Sequence, residues 1–143
     1  MATIISYGSK ALNPLGAAVL TIPPGQNVGI LDTSVVIPPE NPASFSNRVE
    51  LKASINIDQI ATPDNFNVVI LRAGTVIYRS HIRLVGTANP EIKQINVLWV
   101  DGAPLGVINY QLGIENSIPG TTFINIVGPV VFTATAIGGE GVI

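Results

Sequence analysis

The stretch RVELKASINID, residues 48–58, constrains this chain more than any other. Val49, Leu51, Ala53, Ile55 and Ile57 fall on one parity, and Arg48, Glu50, Lys52, Ser54, Asn56 and Asp58 on the other. Period-two alternation of this length is the mark of a half-buried β-strand, because successive side chains of a strand point to opposite faces. The same period recurs along the chain. FNVVILRAGTVIYRSHIRLV reads as two strands around Ala73-Gly74, where glycine supplies the positive φ of a tight hairpin. In the second arm Val76, Tyr78, Ser80, Ile82 and Leu84 share one face, and Ile77, Arg79, His81 and Arg83 the other. IKQINVLWV, VINYQLGIE and FINIV follow, and after a break at Gly128-Pro129 comes VVFTATAI. Ahead of them AAVLTI and VGILDTSVVI flank the turn PPGQN.

No segment carries a convincing helical period. The spacing predicts about eight to ten short strands joined by Pro, Gly and Asn turns, an all-β antiparallel sandwich of jelly-roll type. We divide the chain into an N-terminal arm, residues 1–16, and a sandwich domain, residues 17–143. The runs Val68–Leu71, Val97–Val100 and Val130–Phe132 are apolar on both parities. A two-layer sandwich covers one face of such a strand; packing against neighbouring subunits covers the other, or the runs are central strands of a tight sandwich.

Charged residues are 11% of the chain, against about 25% in an average soluble domain. From Gln94 to Ile143 there is no Lys or Arg. A surface so poor in charge points to contact with other protein rather than with water alone. The net charge of −2 and the lack of a basic cluster argue against nucleic acid as a partner. No uninterrupted apolar run is long enough to insert in a membrane as a helix. The opening MATIISYGSKALNPLGAAVLTIPPG lacks a basic start, and Pro14 and Gly16 interrupt it, so it makes a poor signal peptide. It suits an extended arm instead. Cysteine is absent, which excludes disulfides and thiolate metal sites together.

Candidate chemistry is sparse. Asp32 in ILDTSVV resembles the Asp-Thr-Ser of aspartic proteases, which in the retroviral type form a dyad across a dimer, and INIVG resembles the strand packed near it. Val35 departs from the small residue usual there, and there is no Gly-rich flap. Arg79, His81 and Arg83 form a basic stripe able to grip an anion, with a solvated face beside acidic partners as the plainer alternative. Asp58, Asp64, Asn65 and Asn67 supply oxygen ligands without a calcium-loop spacing. Trp99 and Tyr110 offer aromatic surface to a carbohydrate, with core packing as the commoner fate of a lone Trp. No catalytic residue, cofactor site or metal site is assigned.

The segments LDTSVVIPPENP, NRVELKASINI, FNVVILRAGTVIYR, INVLWVDG, INYQLGIEN and VVFTATAIGG are similar in texture to small jelly-roll proteins of spore-forming bacteria. These include exosporium and endospore-appendage subunits and the related C1q/TNF-like trimer heads. That resemblance implies a structural protein of the cell or spore surface whose partner is itself. Appendage subunits carry cysteines in their N-terminal connector, and this chain has none. Assembly would then rest on strand exchange and sheet packing, with Thr3, Ile4, Ile5, Tyr7, Leu12, Leu15, Val19 and Leu20 as arm contacts. A trimeric binding head for carbohydrate or protein is the alternative reading, and a protease using Asp32 the third.

Overall fold

A computed structural model describes residues 3–12, 18–58, 64–84, 92–116 and 123–139. The described residues form nine strands: β1 (Thr3–Leu12), β2 (Ala18–Ile22), β3 (Asn27–Ile37), β4 (Arg48–Asp58), β5 (Asp64–Arg72), β6 (Thr75–Leu84), β7 (Ile92–Asp101), β8 (Gly106–Glu115) and β9 (Ile124–Gly138). They form two sheets. One has the order β1-β9-β4-β7, with β2 also on β9, and the other the order β3-β8-β5-β6. All pairings are antiparallel. From β2 onward every connection crosses from one sheet to the other, except the β5–β6 hairpin. This is the jelly roll expected from the strand spacing.

The alternation of residues 48–58 sets the core. Val49, Leu51, Ala53, Ile55 and Ile57 of β4 are buried, and their opposite parity faces solvent on the outside of the sheet. Phe66, Val68 and Ile70 of β5 and Ile108, Tyr110, Leu112 and Ile114 of β8 meet them from the other sheet, and Phe132, Ala134 and Ala136 of β9 join them from their own. Two of the two-faced apolar runs split as the pleat demands: Val97 is buried and Leu98 exposed, Val130 is buried and Val131 exposed, whereas Val68, Val69 and Ile70 are all buried.

Ala73 and Gly74 both have positive φ, 50° and 84°. They form the two-residue turn whose twist matches the strands it joins. The Gly128-Pro129 break does not end the last strand. β9 runs on with a bulge there: Ser54 faces Val131 and Asn56 faces Val127. The Asn56 side-chain amide donates to the Pro129 carbonyl at 2.7 Å and holds the bulge. On the other edge of β9, β1 and β2 lie end to end, β1 against residues 130–138 and β2 against residues 124–127.

One short helix departs from the all-strand reading. Residues Pro42–Ser46 form a 3-10 turn. Proline at its start has no N–H to leave unpaired, and the Asn41 side chain accepts from the Ala43 amide at 3.0 Å.

Candidate assembly interface

β1 is an edge strand, and its register explains its composition. Ser6, Gly8 and Lys10 lie opposite Ala136, Ala134 and Phe132, all buried core residues. They therefore point inward, at the margin of the sandwich, toward β3 of the facing sheet. There β3 takes the place that apolar side chains would fill. The Val36 N–H donates to Ser6 Oγ at 3.0 Å, so a side chain caps a free main-chain donor of the β3 edge. Next along, Gly8 sits so close to β3 that a Cβ on it would collide with the Ser34 carbonyl oxygen and Thr33 Oγ1. Beyond it Gly8, Ser9, Lys10, Asp32, Thr33, Ser34 and Asn109 line a cleft of ≈ 390 Å³. On the other parity Tyr7, Ser9 and Ala11 face outward beside Thr135, Thr133 and Val131.

The anticipated arm residues divide accordingly. Thr3, Ile4, Ile5, Tyr7 and Leu12 are on β1. Ile4 and Tyr7 are exposed, and Ile5 packs against the core from its edge. Leu15 lies outside the described residues. Val19 and Leu20 are on β2. In the single chain both strands pair with the chain's own β9.

β7 forms the other edge of the same sheet. It pairs with β4 over ten residues without a register shift, and its far side is unpaired among the described residues. Leu98 (63% exposed) and Val100 (49%) stand on its outer face. Trp99, 39% exposed, faces the opposite way and rests on Tyr78 of β6, ring centroids 5.3 Å apart. A long unpaired edge flanked by exposed apolar side chains is a template for another strand.

The basic stripe is placed on the outer face of β6, where Arg79 lies opposite Val69 and His81 opposite Asn67. Arg79 is not left free to grip an anion. Its Nε and Nη2 donate to the two carboxylate oxygens of Glu115 at 2.8 and 3.0 Å. Asn67 Nδ2 donates to the same carboxylate at 3.1 Å, and Asn67 Oδ1 is 3.1 Å from His81 Nδ1. Arg83 continues the stripe and is exposed. The Arg79 hydrogen bonds hold the Glu115 carboxyl below the ordinary carboxylate range. A depressed folded-state pKa stabilises at neutral pH, and that contribution disappears as pH falls through the depressed value. The urea midpoint of Glu115→Gln should therefore lie below that of the parent chain at pH 7. The two should converge as pH drops below about 4, where an unfolded glutamate takes up its proton. A gap unchanged down to pH 3 would contradict this role.

One polar group escapes the sequence reading. Arg72 Nη1 donates to both Asp101 oxygens at 2.9 and 2.8 Å, and Tyr110 OH donates to Asp101 Oδ2 at 2.9 Å. Asp101 ends β7 in one sheet, while Arg72 and Tyr110 belong to the other, so the carboxylate clamps the layers together. Burial, with the Asp101 carboxylate beside it, drives the Tyr110 hydroxyl pKa far above its ordinary value. Arg72 shares the inward parity of Phe66, Val68 and Ile70, and a charge on a core parity is the available clue. Next to this clamp Asn47 pairs with the Ala103 backbone in both directions, at 2.9 and 3.1 Å.

The remaining candidates are dispersed. Asp32 is exposed on β3, opposite Gln111, whereas INIV runs along β9 of the other sheet. Tyr110 is fully buried and has no face to offer a sugar. Asp58 ends β4 and Asp64 begins β5, and residues 59–63 between them lie outside the described residues. Among the described residues no group of three or more His, Cys, Asp or Glu gathers as a metal site would require. No described helix is long and apolar enough to cross a membrane.

The fold thus defines the class, an antiparallel jelly-roll sandwich. No family model matches the chain, and no curated protein matches it. Among solved structures it is similar to part of dimeric latent PorU from Porphyromonas gingivalis, with 8% identity and a TM-score of 0.47 over 94% of this chain and 13% of that one. It is also similar to part of an arabinose-bound MgGH51 α-L-arabinofuranosidase, with 15% identity and a TM-score of 0.45 over 91% and 27%. The chain spans only these fractions of both proteins, and neither likeness bears on what it does.

Proposed function

We propose that this protein is a non-enzymatic structural subunit that assembles with copies of itself into a filament or surface layer, by exchange of β1 and packing of sheet edges. One observation carries the reading. Among the described side chains, every residue of the buried cluster lies at Ile22 or beyond, and Ile5 is the one on β1 packed against it. What holds β1 is main-chain pairing with β9 and contact with β3. A second copy's β1 supplies the same bonds, so exchange conserves the interactions of the folded chain while linking two chains. The head-to-tail character of the contact makes an open polymer unless the rotation closes a ring.

The unpaired β7 edge, with Leu98 and Val100 beside it, supplies a lateral contact in the same account. The low charge of the exterior suits a subunit surrounded by its own copies. By this reading the protein belongs at a cell or spore surface. Negative-stain microscopy and light scattering of the purified full chain test the proposal. Fibres or sheets are the predicted result. A monodisperse single chain at all concentrations overturns it, and a fixed trimer favours the binding-head alternative.

A further inference from the structure

We propose that Lys10 and Asp32 form an electrostatic key by which β3 of one chain selects β1 of a second copy. The inference rests on the exchange reading above for the identity of the second copy, and on the β1–β3 seam for everything else. Three rungs cross that seam. Ser6 meets Val36 through a hydrogen bond, Gly8 meets Ser34 through backbone contact, and Lys10 and Asp32 line one cleft. Each step of two along β1 is a step of two back along β3, as in an antiparallel pair. The third rung therefore places the one charge of β1 and the one charge of β3 around a single cleft.

The placement of charge along the chain makes this pairing selective. Lys10 is the sole charged residue before position 32, and Asp32 is the next charge in the chain. An arm with one cation thus meets a β3 strand with one anion. Hydroxyl, absent side chain and ammonium together form a pattern that the β3 edge reads. Apolar pockets alone would accept a strand shifted by two residues, which keeps the same faces. Such a slip would bring Lys10 opposite Ser34 or Ile30, and Gly8 away from the position where only glycine fits. The charge pair also acts before contact, since opposite charges on approaching surfaces raise the rate of productive encounter.

Charge reversal in the full chain tests the key. Amide hydrogen exchange over Thr3–Leu12 is expected to accelerate roughly two- to fivefold in Lys10→Glu and in Asp32→Lys, the weight of an exposed ion pair. The double variant Lys10→Glu/Asp32→Lys should return protection to the parent level. Salt should reduce protection in the parent and the double variant alike. Additive losses in the double variant would overturn the key, whatever the oligomeric state.

A mixture separates the key from the exchange. In Lys10→Glu the arm is acidic and repels the Asp32 carboxylate of its own kind. In Asp32→Lys the β3 strand is basic and repels the Lys10 ammonium of its own kind. In an equimolar mixture of the two single variants, an acidic arm can meet a basic β3 strand, and a parent arm can meet a parent β3 strand. Both cross-pairings are complementary. Alternating co-assembly, detected by pull-down of a tagged variant, supports the key and the exchange together. Restored protection in the double variant without co-assembly keeps the key within one chain, which overturns selection of a second copy. Polymers that form equally well from either single variant alone leave the exchange reading standing and remove the key.

Discussion

Asp101→Ala will destabilise the fold by about 2–4 kcal/mol, because it strips a fully buried hydroxyl of its acceptor and unclamps the two sheets. The larger part comes from Tyr110, which has no exposed surface and no route to water. An orphaned buried donor costs about 1–3 kcal/mol. Arg72 contributes less. Its side chain is 31% exposed, against 12% for Asp101, so the freed guanidinium turns to solvent, and its loss is discounted to about 1 kcal/mol or below. For a domain of this size the sum corresponds to a fall in Tm of roughly 6–15 °C. Tyr110→Phe, which removes donor and desolvation cost together, should cost only about 1 kcal/mol. Denaturant unfolding of the three proteins checks the ordering. A loss in Asp101→Ala no larger than in Tyr110→Phe would show that the carboxylate clamps nothing.

Gly8→Val will abolish assembly while leaving the body folded. A valine Cβ at this position would overlap the Ser34 carbonyl and Thr33 Oγ1. The obstruction includes main chain of a paired strand, which cannot rotate away. Overpacking of this kind costs about 1–3 kcal/mol, here falling on the seating of β1 and equal to about a 5- to 150-fold weaker dock. The collision is the same whether the arm comes from the same chain or from another. The body should still unfold cooperatively, since the buried cluster among the described side chains begins at Ile22. Light scattering should find single chains where the parent makes polymers. Polymers undiminished in Gly8→Val would mean that β1 is not seated on β3 in the assembly.

Much of this architecture is legible in the sequence, for a physical reason. Strand parity is local: the fate of Val49, Leu51, Ala53, Ile55 and Ile57 follows from their spacing alone, and the structure buries all five. The Ala73-Gly74 turn is likewise a matter of two adjacent residues. Features that depend on distant parts of the chain are harder to see. Gly128-Pro129 reads as a strand end, yet Asn56, far away in sequence, stabilises it as a bulge within one strand. The pairing of Arg79 with Glu115 joins residues that are 36 apart and become neighbours only through the β8-β5-β6 order. The Asp101 clamp needs both sheets in place. Ser6, Gly8 and Lys10 look like interruptions of an apolar arm, and the alternation that makes them one face becomes meaningful only when β3 is known to lie against it.

The absence of cysteine makes the central claim open to one direct measurement. Ser6 and Val36 touch across the seam, with Ser6 Oγ 3.0 Å from the Val36 amide nitrogen. Two full-length variants, Ser6→Cys and Val36→Cys, are mixed under reducing conditions, allowed to assemble and then oxidised. Exchange of β1 places one cysteine of each variant at a shared seam between chains. The account predicts a disulfide-linked heterodimer on a denaturing gel, containing one Ser6→Cys chain and one Val36→Cys chain. Its yield should fall when Gly8→Val is added to the Ser6→Cys arm. If the mixed heterodimer does not form, while a single chain carrying both cysteines closes its own seam efficiently, β1 stays at home and the account of assembly by strand exchange is wrong.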